Sequence, residues 1–229
     1  MRVIVAESDP AVAEAIGNFI RKEGDYSYIT ESGEDALSVA RFCEFDALVV
    51  GTVSTDLSSI QTVRTARIRN LSVMVIALAD GGAKERKKFL DIGADDCMGR
   101  TPDLDELMAR LRAMTRRAYG HESSTVVVGD LSINLATKKF TVLGNEVLLR
   151  PKEYSFLRLL MLRREMVNKE SVCTYLYNGE KEPDSRSIDT LVFRIRKKIT
   201  TAGGSTIPET IWGYGYRIIA PKKKQYAAA

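Results

Sequence analysis

The chain has one histidine, one tryptophan and three cysteines in 229 residues. A single histidine, His121, removes most Ser-His and Cys-His nucleophile schemes and any imidazole-rich metal site. It falls in a polar stretch at residues 120–124 that reads as a linker, where an exposed side chain without a role is expected. Cys43, Cys97 and Cys173 are odd in number and far apart. They form neither a disulfide framework nor a zinc pattern, and they fit a reducing, cytoplasmic setting. No apolar stretch approaches the ~18 residues of a membrane span. The apolar run after Arg2 is too short for the core of a signal peptide. No P-loop is present, and no Gly-x-Gly-x-x-Gly follows the first strand. The chain therefore offers little for catalysis, and no cofactor or metal is expected.

Negative charge is scarce in the second half. Residues 1–118 carry 16 Lys/Arg against 19 Asp/Glu, net −3, whereas residues 119–229 carry 18 against 11, net +7. A basic half joined to a near-neutral one suggests that only the second meets a polyanion. Within it, five of the thirteen residues 186–198 are Lys or Arg, against one Asp. Ile188, Val192, Ile195 and Ile199 recur at spacings of 4, 3 and 4, one apolar stripe on a helix. Ser187, Thr190, Leu191, Arg194 and Lys198 fall on another face. A helix held down by one stripe and showing cations elsewhere has the shape that enters a DNA major groove. A solvated charged face would read the same way. The next segment, Thr210 to Arg217, reads as a hairpin with Gly213 and Gly215 at its bend, presenting Tyr214, Tyr216 and Arg217. Trp212 is expected as a core anchor.

In the first half, apolar runs of strand length at 3–5, 47–50 and 73–76 alternate with helical patterns at 11–22, 34–43, 59–68, 84–91 and 103–117. Asp9 is placed to cap the first helix at Pro10. Such alternation predicts a parallel sheet with helices on both faces, a five-stranded flavodoxin-like α/β domain. The second half predicts a small antiparallel platform (126–128, 132–134, 140–142, 147–149) with turns at Lys138-Lys139 and Gly144-Asn145. Helices at 151–163, 168–177 and 186–200 follow. The expected division is 1–118, a linker at 119–124, 125–222 and a tail at 223–229.

Arg186, Ile188 and Asp189, the basic helix after them and Gly213-Tyr-Gly-Tyr-Arg217 resemble the winged-helix effector domain of the OmpR/PhoB family of response regulators. Residues 1–3, 116–121, 152–154 and 212–215 look closest to its CtrA-type branch. The resemblance covers the whole chain. It implies a receiver followed by an α+β winged-helix domain, and a cytoplasmic, sequence-specific transcription regulator on double-stranded DNA with tandem half-sites. By the match, Arg194 is the base-reading arginine, with Ser187, Thr190 and Leu191 beside it; Thr190 and Leu191 suit thymine methyls. Arg186, Arg196, Lys197 and Lys198 are phosphate contacts, and Tyr214 and Arg217 belong to the wing. The polar segment 177–184 corresponds to a loop facing RNA polymerase. Phe193 replaces a usual polar residue; packing on Tyr154 and contact with a base both fit.

Receivers of this family take a phosphoryl group on an aspartate, beside an acidic pair that holds Mg²⁺, a hydroxyl and a lysine. Here the acidic pair is Glu7-Ser8, the acceptor position is Gly51, the hydroxyl position is Ala77 (Ala79 in a shifted register), and the lysine position is Arg100. The resemblance therefore implies a receiver without a phosphorylation site. The family's dimer face is kept in sign: Arg86 opposite Glu106, Asp96 opposite Arg110, and Asp95 opposite Arg117, with Leu90, Leu107 and Leu111 as its apolar centre. This implies a homodimer formed without phosphate. Alternatives are a switch by a partner protein or by oxidation at Cys97, or a scaffold that no longer binds DNA.

Overall fold

The structure is a computed structural model describing residues 1–53, 55–177 and 185–220, with the side chains of 185 and 186 left aside. It divides into two compact units, Met1–Gly120 and His121–Ala229.

In the first unit β1 (Arg2–Ala6), β2 (Tyr26–Thr30), β3 (Ala47–Val50), β4 (Met74–Ala79) and β5 (Asp96–Gly99) form one parallel sheet in the order β2-β1-β3-β4-β5. The helices between them are α1 (Pro10–Lys22), α2 (Gly33–Phe42), α3 (Ser59–Ile68), α4 (Gly82–Asp91) and α5 (Leu104–Ala118). The expected five-stranded receiver fold is present. β3 is central and buried on both faces, so it reads as an unbroken apolar run. Strands β2 and β5 lie at the edges with half-buried polar residues, which is why no apolar run announced them. β4 starts one residue later than its apolar run and ends three residues further on, so Ala79, rather than Ala77, closes it. One core packs on each face of the sheet, one around Leu48, Val50, Phe89 and Val63, the other around Val49, Ile16, Leu107 and Leu111.

Helix starts follow local chemistry. Asp9 Oδ1 accepts from Ala11 N at 3.0 Å ahead of Pro10, as expected. Ser58 and Gln61 form a reciprocal capping box on α3. Asp56 accepts from Ser32 Oγ and from the amides of Leu57, Glu34 and Gly33, which holds its carboxyl down at about 2.

In the second unit β6 (Thr125–Val128), β7 (Leu131–Asn134), β8 (Phe140–Val142) and β9 (Asn145–Glu146) make an antiparallel sheet. The expected fourth strand at 147–149 is replaced by β9. Leu143 and Gly144 take positive φ, so the hairpin reverses tightly and its return strand starts sooner. Helices α6 (Pro151–Arg163), α7 (Lys169–Tyr177) and α8 (Ser185–Thr201) follow, and β10 (Val167–Asn168), β11 (Glu209–Ile211) and β12 (Gly215–Arg217) form a second sheet in the order β10-β12-β11. The predicted stripe of α8 is buried: Ile188, Val192, Ile195 and Ile199. Each buried side chain contributes up to about 1.5–3 kcal/mol of transfer free energy. His121 is not exposed. It is buried in the second unit with Nε2 2.8 Å from the carbonyl of Leu162, near the end of α6.

The bend of the wing hairpin is Trp212-Gly213-Tyr214, where only Gly213 has positive φ. Gly215 is not at the bend. It lies in β12 against β10, and a Cβ there would overlap the Val167 carbonyl and stand 2.7 Å from Asn168 Cα. Glycine is required for that close approach.

Candidate functional site

The basic helix α8 divides its cations into two groups that the sequence does not distinguish. Arg196 Nε donates to the Pro208 carbonyl at 2.8 Å and Nη2 to Thr210 Oγ1 at 2.7 Å, which ties α8 to the wing. Lys198 Nζ donates to Glu153 Oε2 at 2.6 Å and to the Leu148 carbonyl at 2.8 Å. Glu153 is 1 % exposed and also accepts from Arg150 N at 2.8 Å, closing the first turn of α6. Arg196 and Lys198 were expected at phosphates; in the structure both bond within the protein. Arg194 and Lys197 are exposed and make no ion pair among the described residues.

The remaining assignments separate by burial. Thr190 is exposed and Ser187 half-buried, on the side turned away from the stripe. Leu191 is largely buried beside that stripe, and its remaining edge lines an open groove with Ser187, Thr190 and Arg194. The Arg186 side chain lies outside the described residues, as does the segment 178–184 that was expected to face RNA polymerase. Tyr214 is exposed at the wing bend. Arg217 is half-buried and pairs with Glu209 at 2.8 Å. Tyr216 and Trp212 exchange the places expected for them. Tyr216 is buried edge-on to Phe156, 5.5 Å between centroids, and its hydroxyl donates to Asp189 Oδ1 at 2.8 Å. Burial and then the Asp189 bond raise its phenol pKa. Trp212 is 89 % exposed at the wing bend. The signal that could have found it is its neighbour: Gly213 makes the turn, and turns expose the residues flanking them. Phe193, left open by the sequence, is 66 % exposed.

In the first unit, the carboxyl ends of β1, β3 and β4 come together as the resemblance implies. Glu7 is 2 % exposed and follows β1 directly. Its Oε1 accepts from Asp9 N at 2.8 Å and its Oε2 from Thr52 N at 2.9 Å. Gly51 follows β3, is buried, and faces this carboxylate. A Cβ on Gly51 would overlap Glu7 Oε2 and stand 2.9 Å from Cδ. The Glu7 side chain thus fills the space that a residue-51 side chain would need, and takes the amide that follows it. Ser8 supplies no charge, and its hydroxyl has no hydrogen-bond partner among the described residues. At the end of β4, Ala77 and Ala79 have no hydroxyl. Arg100 reaches Asp80 at 3.3 Å and Asp9 at 3.9 Å. Hard Mg²⁺ needs several oxygen ligands in near-octahedral array. One carboxylate already held by two amides, beside a guanidinium on Asp9, does not fit that ion.

The expected pairing face lies on α4, β5 and α5. Leu90 is 47 % exposed, but Leu107 and Leu111 are buried in the receiver's own core and cannot centre a surface. The helix period puts them on the inner side of α5. Within the chain Arg110 binds Asp96 at 2.8 Å and Glu106 at 2.6 Å. Asp95 binds Arg67 at 2.6 Å and accepts from Val75 N at 2.7 Å. Arg86 and Arg117 are exposed. Cys97 sits beside this face, half-buried; burial pushes its thiol pKa up, against a smaller opposing pull from Arg86. Since the thiolate is the reactive form, Cys97 is expected to react with iodoacetamide at pH 7 no faster than a free thiol. Faster labelling, followed by intact mass, would restore oxidation at this residue as a switch.

Residues 144–218 match the family model for the transcriptional regulatory protein, C terminal. Over the full length of both chains, this one is 34% identical to the cell cycle response regulator CtrA of Brucella anthropi and 33% identical to that of Brucella ovis. Among solved structures, it is similar to the response regulator DrrB of Thermotoga maritima, an OmpR/PhoB homolog, at 22% identity over 96% of this chain and 99% of that one, with a TM-score of 0.46. The chain belongs to the CtrA-type response regulators, its relatives along its whole length, with a transcriptional regulatory domain at its C-terminal end.

Proposed function

We propose that this chain is a sequence-specific DNA-binding transcription regulator that pairs with a second copy through its receiver and acts without an aspartyl phosphate. The observation that carries this is the Glu7 carboxylate lodged against Gly51, where the acceptor side chain would stand. A hydroxyl, as on nearby Thr52, forms no acyl phosphate. Incubation with acetyl phosphate and Mg²⁺ is expected to leave the intact mass unchanged; stoichiometric phosphate on any aspartate of the first unit would overturn this reading.

Pairing is supported by the exposed Leu90 flanked by charges of both signs on α4 and α5. Exposed ion pairs are worth about 0–1 kcal/mol each, so they set register more than affinity. Arg110→Glu with Arg117→Glu should weaken the dimer in sedimentation runs, and unchanged behaviour counts against this face.

DNA reading rests on Arg194, an exposed cation that makes no ion pair among the described residues, on a helix whose opposite face is buried. A guanidinium there suits guanine O6 and N7 as a bidentate pair. Arg194→Ala should cost about 1–3 kcal/mol on the preferred duplex and relax one base position. Lys197→Ala should weaken all sequences alike and lower the salt slope by about one. Titrations at several salt concentrations separate the two. Equal losses on preferred and random duplexes for Arg194→Ala would remove it from base readout.

A further inference from the structure

Phe193 is the odd residue of α8. Its side chain is 66 % exposed, although the helix has a well-filled apolar stripe nearby. At 100° per residue it lies about 200° around the helix from Ile195, almost opposite the buried side. Its surface neighbours at three and four residues are Thr190 and Lys197 on one side, with Arg194 beyond them, and Asp189 and Arg196 on the other. It has no aromatic partner among the described residues. The ring is thus an apolar spot at the edge of a side whose cations, Arg194 and Lys197, make no ion pair among the described residues, while Asp189 on its other side is bonded to Lys169 and Tyr216.

We propose that Phe193 is a specificity-determining residue of this regulator, reading the 5-methyl group of a thymine in the major groove. The inference rests on the proposed DNA reading by α8. Charge complementarity names the occupant: exposed cations that make no ion pair among the described residues attract the phosphate backbone, and docking there brings this outward side of the helix, with Phe193 on it, onto base edges. In the major groove the thymine methyl is the apolar group that distinguishes one base pair from the other three, and a phenyl ring is a natural contact for it. Burying a methyl-sized group contributes about a fourfold preference. Arg194, about 100° away, stays free for guanine. The preferred site should therefore place a thymine one or two positions from the guanine read by Arg194.

The test uses the full-length protein and a duplex enriched by it from a randomised pool. Each thymine of that duplex is replaced in turn by uracil, which differs only by the 5-methyl group. Native protein is expected to lose about fourfold in affinity at one thymine per half-site. Phe193→Ala should bind the thymine and uracil duplexes equally, and Phe193→Leu should keep part of the preference. Because the side chain is exposed, both variants should melt like the native protein. If uracil costs nothing at any position, or if Phe193→Ala shows the native penalty, this role is overturned while DNA reading by α8 stands. If no sequence is enriched, the DNA reading itself fails and takes this inference with it.

Discussion

Replacing Gly51 by Asp is expected to destabilise the first unit by about 3–5 kcal/mol rather than create a phosphate acceptor. By the resemblance, the variant supplies a carboxyl at the acceptor position, so the naive expectation is a repaired receiver. The local packing predicts the opposite. Gly51 is buried, its amide is spent on the Ala6 carbonyl at 2.8 Å, and a Cβ there overlaps Glu7. Overpacking alone costs about 1–3 kcal/mol. A second carboxylate against one that is 2 % exposed adds like-charge repulsion with little solvent to relieve it. The melting temperature should fall by on the order of 10–20 °C. The sign of the pH dependence follows. The introduced carboxyl titrates above its unfolded value, so the cost is full at neutral pH and shrinks as pH falls toward about 5. Gly51→Ala should show the packing loss without that pH dependence. Adding Glu7→Gln to Gly51→Asp should recover part of the charge term. A Gly51→Asp protein that melts like the native chain and takes phosphate would show that Glu7 yields the space readily, and the proposed mode of action would lose its support.

Lys198→Ala is the second large effect, and it is a folding effect. Glu153 is almost wholly buried in α6, and Lys198 is its only ion-pair partner among the described residues. Removing the cation leaves a buried carboxylate with the Arg150 amide alone, a loss of about 2–4 kcal/mol given that the lysine is itself partly solvated. The melting temperature of the second unit should drop, while the salt slope of DNA binding, measured below that temperature, should not change. Lys197→Ala should do the reverse, leaving melting unaltered and lowering the slope. If Lys198→Ala lowers the slope and leaves melting alone, the lysine faces phosphate after all.

These neighbours show how far the sequence could be read. The burial of Ile188, Val192, Ile195 and Ile199 was legible because a helix repeats every 3.6 residues and one face must leave water. The parallel sheet was legible because buried strands run apolar and their crossovers repeat as helices. The cap at Asp9 was legible because capping is local. The edge strands β2 and β5 were not legible, being half-polar. Leu107 and Leu111 were given to a surface because a family match transfers position but not depth. Trp212 and Tyr216 were exchanged because both are large aromatics in one short hairpin. Only the packing of α6 beneath β12 chooses which one is covered.

By itself the sequence determined the two-part architecture, the identity of the basic helix and the lack of a carboxylate at residue 51. Each of these depends on periodicity, composition or a single residue type. Only the tertiary structure decided which cations bond within the fold and what occupies the space beside residue 51. Lys198 meets residues 45 and 50 positions away, Arg196 meets residues 12 and 14 away, and Glu7 meets Thr52 across 45. Charge and hydrogen-bonding capacity are properties of a side chain, but whether they are already spent depends on what the fold brings beside it.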